Sequence, residues 1–288
     1  MAKGTKKKKN SMALQVFKRL IKNKTALVAL IILLLEVLIA VLAPWIIPYD
    51  YAEINVVNRY IEPCAEHLFG TDNMGRDLFS RVIYGARYSL SIGMTANLLG
   101  VLIGMILGAV AGYFGGMVDN LIMRFLDILA AIPGMLLMIV MAATMGTGVP
   151  VTIIALAIGT AAGNARLFRA SILNVRSAEY IEAAQSINCS TFRTIVKHIT
   201  PNAFSPMIVS ITMGVAGCII TSAALSFMGL GVQSPTPEWG ALLSAGRADM
   251  RMYPYLVLFP GLAIMITVFC LNMLGDGLRD ALDPKLKN

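Results

Sequence analysis

Residues 179–202 read EYIEAAQSINCSTFRTIVKHITPN, a polar island with two Glu, an Arg, a Lys and one of two His in a chain that is 57% hydrophobic. Its pattern predicts two short helices joined by a corner. Ser177 is placed to cap the first, and Glu179 falls in the opening turn, where the positive end of a helix favours a carboxylate. This Ala-rich helix runs to about Ile187. Asn188 follows, the residue other than Gly that best tolerates the left-handed conformation used to end a helix. Ser190 is placed to cap the second helix. There Phe192, Ile195, Val196 and Ile199 recur at i, i+3, i+4 and i+7 as one apolar stripe, while Arg193 and Lys197 project from another face. Pro201 ends or kinks this helix. Such an amphipathic pair is suited either to capture by a cytoplasmic partner or to lying flat on a bilayer, and composition does not separate the two.

The island is flanked by apolar runs. Only 14% of the 288 residues are charged, and the mean hydropathy is +0.72, well outside the balance of a soluble domain. Six runs are each long enough for a helix to cross a hydrocarbon core: roughly 25–45, 89–111, 121–145, 149–168, 207–230 and 255–275. The expectation is an all-α polytopic membrane protein with six transmembrane helices in a lipid bilayer and both termini on one side.

Lys and Arg orient the chain, because short loops rich in them stay cytoplasmic. Nine of the 24 lie at or before Lys24. Placing that segment inside gathers eighteen on the cytoplasmic face and leaves six outside. The net charge of +8 is thus a topology signal, with KKKK at 6–9 near anionic headgroups, and no nucleic-acid partner is expected. The first run is too long for the apolar stretch of a cleaved leader and should stay as an anchor. Cys64, Cys189, Cys218 and Cys270 fall on different sides or spans, which indicates neither a disulfide framework nor a zinc site.

The expected organisation is a basic cytoplasmic segment at 1–24, a first crossing at 25–45 and an extracytoplasmic loop at 46–88. A five-helix core at 89–279 follows, with the cytoplasmic loop at 176–205, and then a cytoplasmic tail at 280–288. Gly100, Gly104, Gly108 and Gly112, spaced i, i+4, lie along one face of the second span and admit close approach of another helix. Glu36, inside the first span, should point away from lipid. Arg124 and Asp127 can share a helical face as an ion pair. Pro133 and Gly134 should bend or loosen the third span.

EAAQSINCSTFRTIVKHITPN, at 182–202, resembles the EAA loop of bacterial ABC importer permeases: Glu182, Ala183, Ala184 and Pro201 match, and Asn188 replaces the usual Gly. HLFGTDNMGRDLFSRVIYGARYSLSIG at 67–93, GYFGGMVD at 112–119, LSFMGLGVQSPTPEWGALL at 225–243 and NMLGDGLRDALDP at 272–284 resemble the dipeptide, oligopeptide and nickel branch, specifically its second permease subunit. One departure is Ser222, where relatives usually carry Glu.

The resemblance implies a type I ABC importer permease fold in the bacterial cytoplasmic membrane. It also implies a homologous second permease, two cytoplasmic ATPases that hold the ATP and Mg, and an extracytoplasmic substrate-binding protein. In that family the loop is the coupling helix that docks on the ATPase. This role carries over to Glu182, Ala183, Ala184, Asn188 and Arg193, with His198 as a docking or structural residue. The substrate implied is a short peptide, with nickel or a nickel chelate as the runner-up.

No Gly-Lys dipeptide occurs, so the phosphate-cradling loop of an ATPase is missing, and no cofactor is expected in this chain. An ion-coupled secondary transporter is the alternative of another class, but the two halves show no self-similarity. An intramembrane enzyme fares worse, because His67 falls outside, His198 inside, and HExxH is lacking. At 70–77, GTDNMGRD reads as a folded outer turn in which Asp72, Arg76 and Asp77 make charge-assisted hydrogen bonds; docking of the binding protein is its sharper reading.

Overall fold

The computed structural model describes residues 12–282, and in these residues every regular element is helical. The α-helices in chain order are α1 (Met12–Lys22), α2 (Lys24–Ile46), α3 (Leu78–Phe114), α4 (Gly116–Ala131), α5 (Gly134–Met145), α6 (Val149–Arg176), α7 (Glu179–Ser186), α8 (Thr191–Arg193), α9 (Thr200–Ala203), α10 (Ser205–Phe227), α11 (Trp239–Gly246) and α12 (Tyr255–Leu282). Five are long and apolar enough to cross a membrane: α2, α3, α6, α10 and α12. The pair α4 and α5, bent by 82°, makes a sixth crossing if it forms one broken span.

That bend is larger than a loosened helix. Ile132, ahead of Pro133, sits at φ −79°, ψ 122°, because the proline ring disfavours the helical region for the residue before it. The helix therefore stops and restarts at Gly134. The second crossing also differs from expectation, since α3 starts at Leu78, ahead of 89, and its 37 residues span about 55 Å. Its extra turns hold polar Ser80 and Arg81, both buried at the loop-rich end.

α3 is the central helix and packs most extensively on α6. The glycine stripe is the cause. A Cβ on Gly100 would lie 2.0 Å from Thr160 Oγ1, one on Gly104 2.6 Å from Asn164 Cβ, and one on Gly108 2.5 Å from the Ala165 carbonyl oxygen. These distances leave no room for any side chain. α12 lies against both α2 and α10. Glu36 turns toward α12, beside Thr267, where its Oε2 is buried without a hydrogen-bond partner.

At one end, the segments between α2 and α3 and between α10 and α12 close over the bundle. Tyr60 stacks on Tyr253 at 4.3 Å and Phe69 on Phe259 at 3.9 Å, while Tyr255 Oη donates to the Thr71 carbonyl at 3.2 Å. Glu238, 1% exposed, caps α11 by accepting from the Ala241 amide at 2.9 Å; burial pushes its carboxyl above the usual range, against that bond. The opposite end carries the elbow of α7, α8 and α9.

Candidate functional site

The elbow begins where α6 ends. Ser177 (φ −84°, ψ 8°) closes α6 instead of capping α7, and the Ala178 carbonyl accepts from the Ile181 amide at 2.8 Å in its place. Glu179 and Glu182 occupy the first turn of α7, as their charge favours. Ile181 and Ala184 face inward, 0% and 8% exposed, whereas Glu182 and Ala183 face out. The corner forms at Asn188, whose φ is +57°. The Cys189 amide reaches back to the Ala184 carbonyl at 3.1 Å, the bond that ends a helix through a left-handed residue.

The second arm departs from a plain amphipathic helix. Ser190 contributes its backbone carbonyl, accepting from the Thr194 amide at 2.9 Å, with no side-chain cap bond. α8 then passes into a π-helical turn, Thr194–Ile199, closed by the Thr200 amide on the Ile195 carbonyl. Bonding at i→i+5 widens the turn and breaks the i, i+3, i+4, i+7 register. Thr194 and Ile199 become fully buried, while Phe192 and Val196 turn outward at 75% and 49% exposure. The expected single stripe is thus divided between two faces. Pro201 follows the π turn in the first turn of α9, and the backbone stays helical on both sides of it, so Pro201 does not end the arm.

The residues singled out from sequence separate accordingly. Glu182, Ala183, Asn188 and Arg193 are exposed, Ala184 packs inward, and His198 is half-buried, its carbonyl accepting from Asn202 Nδ2 at 2.7 Å. Sequence reasoning missed the outward apolar set: Ile187 at 81%, Phe192, Val196 and Tyr180. Flanked by Glu182, Arg193 and Lys197, this is a mixed apolar and charged surface of the kind a protein partner covers. Its root is firm: Ile181 and Ile199 join Val101 of α3, Phe168 and Ile172 of α6, and Ala203 and Met207 in one buried cluster. The elbow thus packs against α3, α6 and α10 in a single cluster.

Two ion pairs fasten α4 to α6 near the elbow. Arg169 grips Asp119 through Nε and Nη2, and Arg166 Nη2 donates to Asp127 at 2.9 Å. Arg124, the partner expected for Asp127, lies at 3.8 Å. The closer partner comes from a different helix, which local spacing cannot reveal.

At the loop-rich end, Asp72, Arg76 and Asp77 are brought together but buried, 7%, 3% and 4% exposed. Asp72 accepts from Arg76 Nε at 2.7 Å, Arg81 Nη1 at 3.0 Å and the Met74 and Arg76 amides. Asp77 caps α3 through the Ser80 amide at 2.7 Å and meets His67 Nδ1 at 2.9 Å. This is the folded turn. Its charges face one another within the turn. Arg81 and His67 are members that sequence reading left out.

Comparison with known proteins agrees with this arrangement. Residues 100–288 match the model of the binding-protein-dependent transport system inner membrane component, and residues 11–63 that of the N-terminal TM domain of oligopeptide transport permease C. The dipeptide transport system permease protein of Alkalihalophilus pseudofirmus is 46% identical over 95% of this chain and 90% of its own length. The glutathione transport system permease protein of Shigella flexneri is 46% identical over the same shares. Among solved structures, a methionine ABC transporter in inward-facing conformations aligns with a TM-score of 0.57 at 18% identity, covering 70% of this chain and 96% of that one. With an all-helical bundle, an exposed elbow rooted in its core and these relatives, the chain belongs to the family of inner membrane components of binding-protein-dependent transport systems, the permease subunits of ABC importers.

Proposed function

We propose that this permease carries short peptides into the cell, driven by ATP that two cytoplasmic ATPase subunits hydrolyse with their Mg. The elbow end faces the cytoplasm, as the Lys and Arg distribution favours, and the loop-rich end faces the binding protein that delivers substrate. The single observation behind the coupling role is the outward set on the elbow standing on an inward, fully buried root. Glu182 and Arg193 supply charged contacts, Ile187 and Phe192 apolar ones, and Ala183 close approach. Asn188 holds the corner, Ala184 packs beneath, and His198 steadies the second arm.

The pathway lies between this chain and a homologous second permease in the cytoplasmic membrane. The bent pair α4 and α5 supports that reading, because Leu121, Phe125, Ile128 and Leu136 are all exposed on it and available to a partner. A peptide substrate follows from the two curated relatives, whose names specify dipeptide and glutathione. The test is uptake. Proteoliposomes holding this chain with its second permease, ATPases and binding protein should accumulate a labelled dipeptide with ATP inside and not with ADP. Accumulation without the ATPase subunits would overturn the proposal.

A further inference from the structure

Between α2 and α3, toward the loop-rich end, lies a groove of about 460 Å³ that none of the described residues fills. Its polarity changes along its length. Arg87, Tyr84 and Tyr88 line it at the level of the loops, while Val37, Val41 and Met94 line it further into the span. The last three are 43%, 57% and 54% exposed, so the groove opens away from the bundle.

Its depth is fixed by aromatic residues. Trp45, 76% exposed in the last turn of α2, and Tyr51, stacked on Tyr84 at 4.3 Å, mark the membrane–water boundary where amphipathic rings collect. Arg87 sits at that level with its guanidinium 5.4 Å from the Tyr84 ring. It makes no salt bridge among the described residues, whereas Arg76 and Arg81 nearby share Asp72. An exposed cation with phenols at the boundary and an apolar channel below it is the complement of an amphiphile with a negative head.

The geometry points to a binding site for one anionic phospholipid. Its phosphate is held by the planar Arg87 fork and the Tyr84 and Tyr88 hydroxyls, and an acyl chain lies along Val37, Val41 and Met94. A polypeptide occupant would have to bring both an acidic side chain and an apolar segment in this order. A phospholipid carries them in one molecule already aligned with the membrane normal. The bound lipid would mortar α2, which otherwise meets the core through α3 and α12, to the bundle.

The test uses the whole transporter in nanodiscs of mixed phosphatidylglycerol and phosphatidylethanolamine, with benzoylphenylalanine at Met94 of this chain. Irradiation and mass spectrometry should show an adduct enriched in phosphatidylglycerol over its share of the bilayer. Arg87→Gln should reduce that enrichment about tenfold, the scale of one lost charge-assisted hydrogen bond, and Arg87→Lys, which keeps the charge but not the fork, should fall between Gln and wild type. Labelling in proportion to bilayer composition, insensitivity to Arg87→Gln, or an adduct with a partner polypeptide would each overturn the assignment.

Discussion

Ile181, on the first arm of the elbow, and Ile199, on the second, are both 0% exposed and belong to one apolar cluster with Phe168 and Ile172 of α6. The two arms are therefore a single packed body, and α6 is part of it. Truncating either isoleucine to Ala should destabilise by about 2–5 kcal/mol, the range for buried large-to-small changes. The double variant should depart from the sum by about 0.5–3 kcal/mol, because the two residues belong to one packed cluster. Thermal unfolding of the purified transporter, read through a fluorophore at the exposed Phe192 position, measures both.

The glycine stripe gives a sharper contrast. Gly108→Ala would place a Cβ 2.5 Å from the Ala165 carbonyl oxygen, and α3 and α6 would have to separate. A loss of about 1–3 kcal/mol is expected from overpacking. Gly163→Ala, with nothing within 4 Å, should be neutral or raise stability by up to about 1 kcal/mol through helix propensity. Equal melting temperatures for the two would show that the helices are not in the contact described.

Asp72 neutralises two arginines that are 3% and 2% exposed. Asp72→Ala leaves both without a counterion, and about 3–5 kcal/mol should be lost. Affinity of the folded fraction for the binding protein should stay within about twofold, since buried charges pair inside the turn and not with a partner. Titration of binding protein onto the purified transporter distinguishes this from a docking role.

Glu238 carries a pH dependence. Its folded-state pKa lies above the unfolded value of about 4.3, so its contribution to stability is fully present below that pH and is lost as pH rises through the folded value. Glu238→Gln removes the ionisation while leaving an oxygen to cap α11. The melting temperature of the variant should gain on that of wild type as pH increases from about 4 toward 8. A gap that narrows over that interval would contradict the burial of the carboxylate.

Much of this architecture is legible in the amino-acid order, because crossing a membrane requires long apolar runs and close packing requires small residues. The five long helices, the approach of α6 to Gly100 and Gly104, and the left-handed corner at Asn188 all follow from such local needs. What escaped depends on partners distant in sequence. The π turn at Thr194–Ile199 arises with both residues buried in the base of the elbow, and it reversed the expected facing of Phe192 and Val196. Asp127 takes Arg166 from another helix in preference to Arg124 on its own. Ser177 lost the cap of α7 because it completes α6. The extent of the 82° break likewise goes beyond what Pro133 alone specifies.

The central claim is that the outward face of the elbow transmits ATP hydrolysis to the membrane helices. Glu182 and Phe192 lie on that face, and neither belongs to the buried root, so Glu182→Arg with Phe192→Asp should cost this chain no more than about 1 kcal/mol of stability, the helix-end charge of Glu182. ATP-driven dipeptide uptake by proteoliposomes carrying the double variant is the most direct measurement. A fall of about tenfold or more is predicted, corresponding to roughly 1.4 kcal/mol or more of lost interface energy. Uptake at the wild-type rate, with the ATPases still bound, would contradict it.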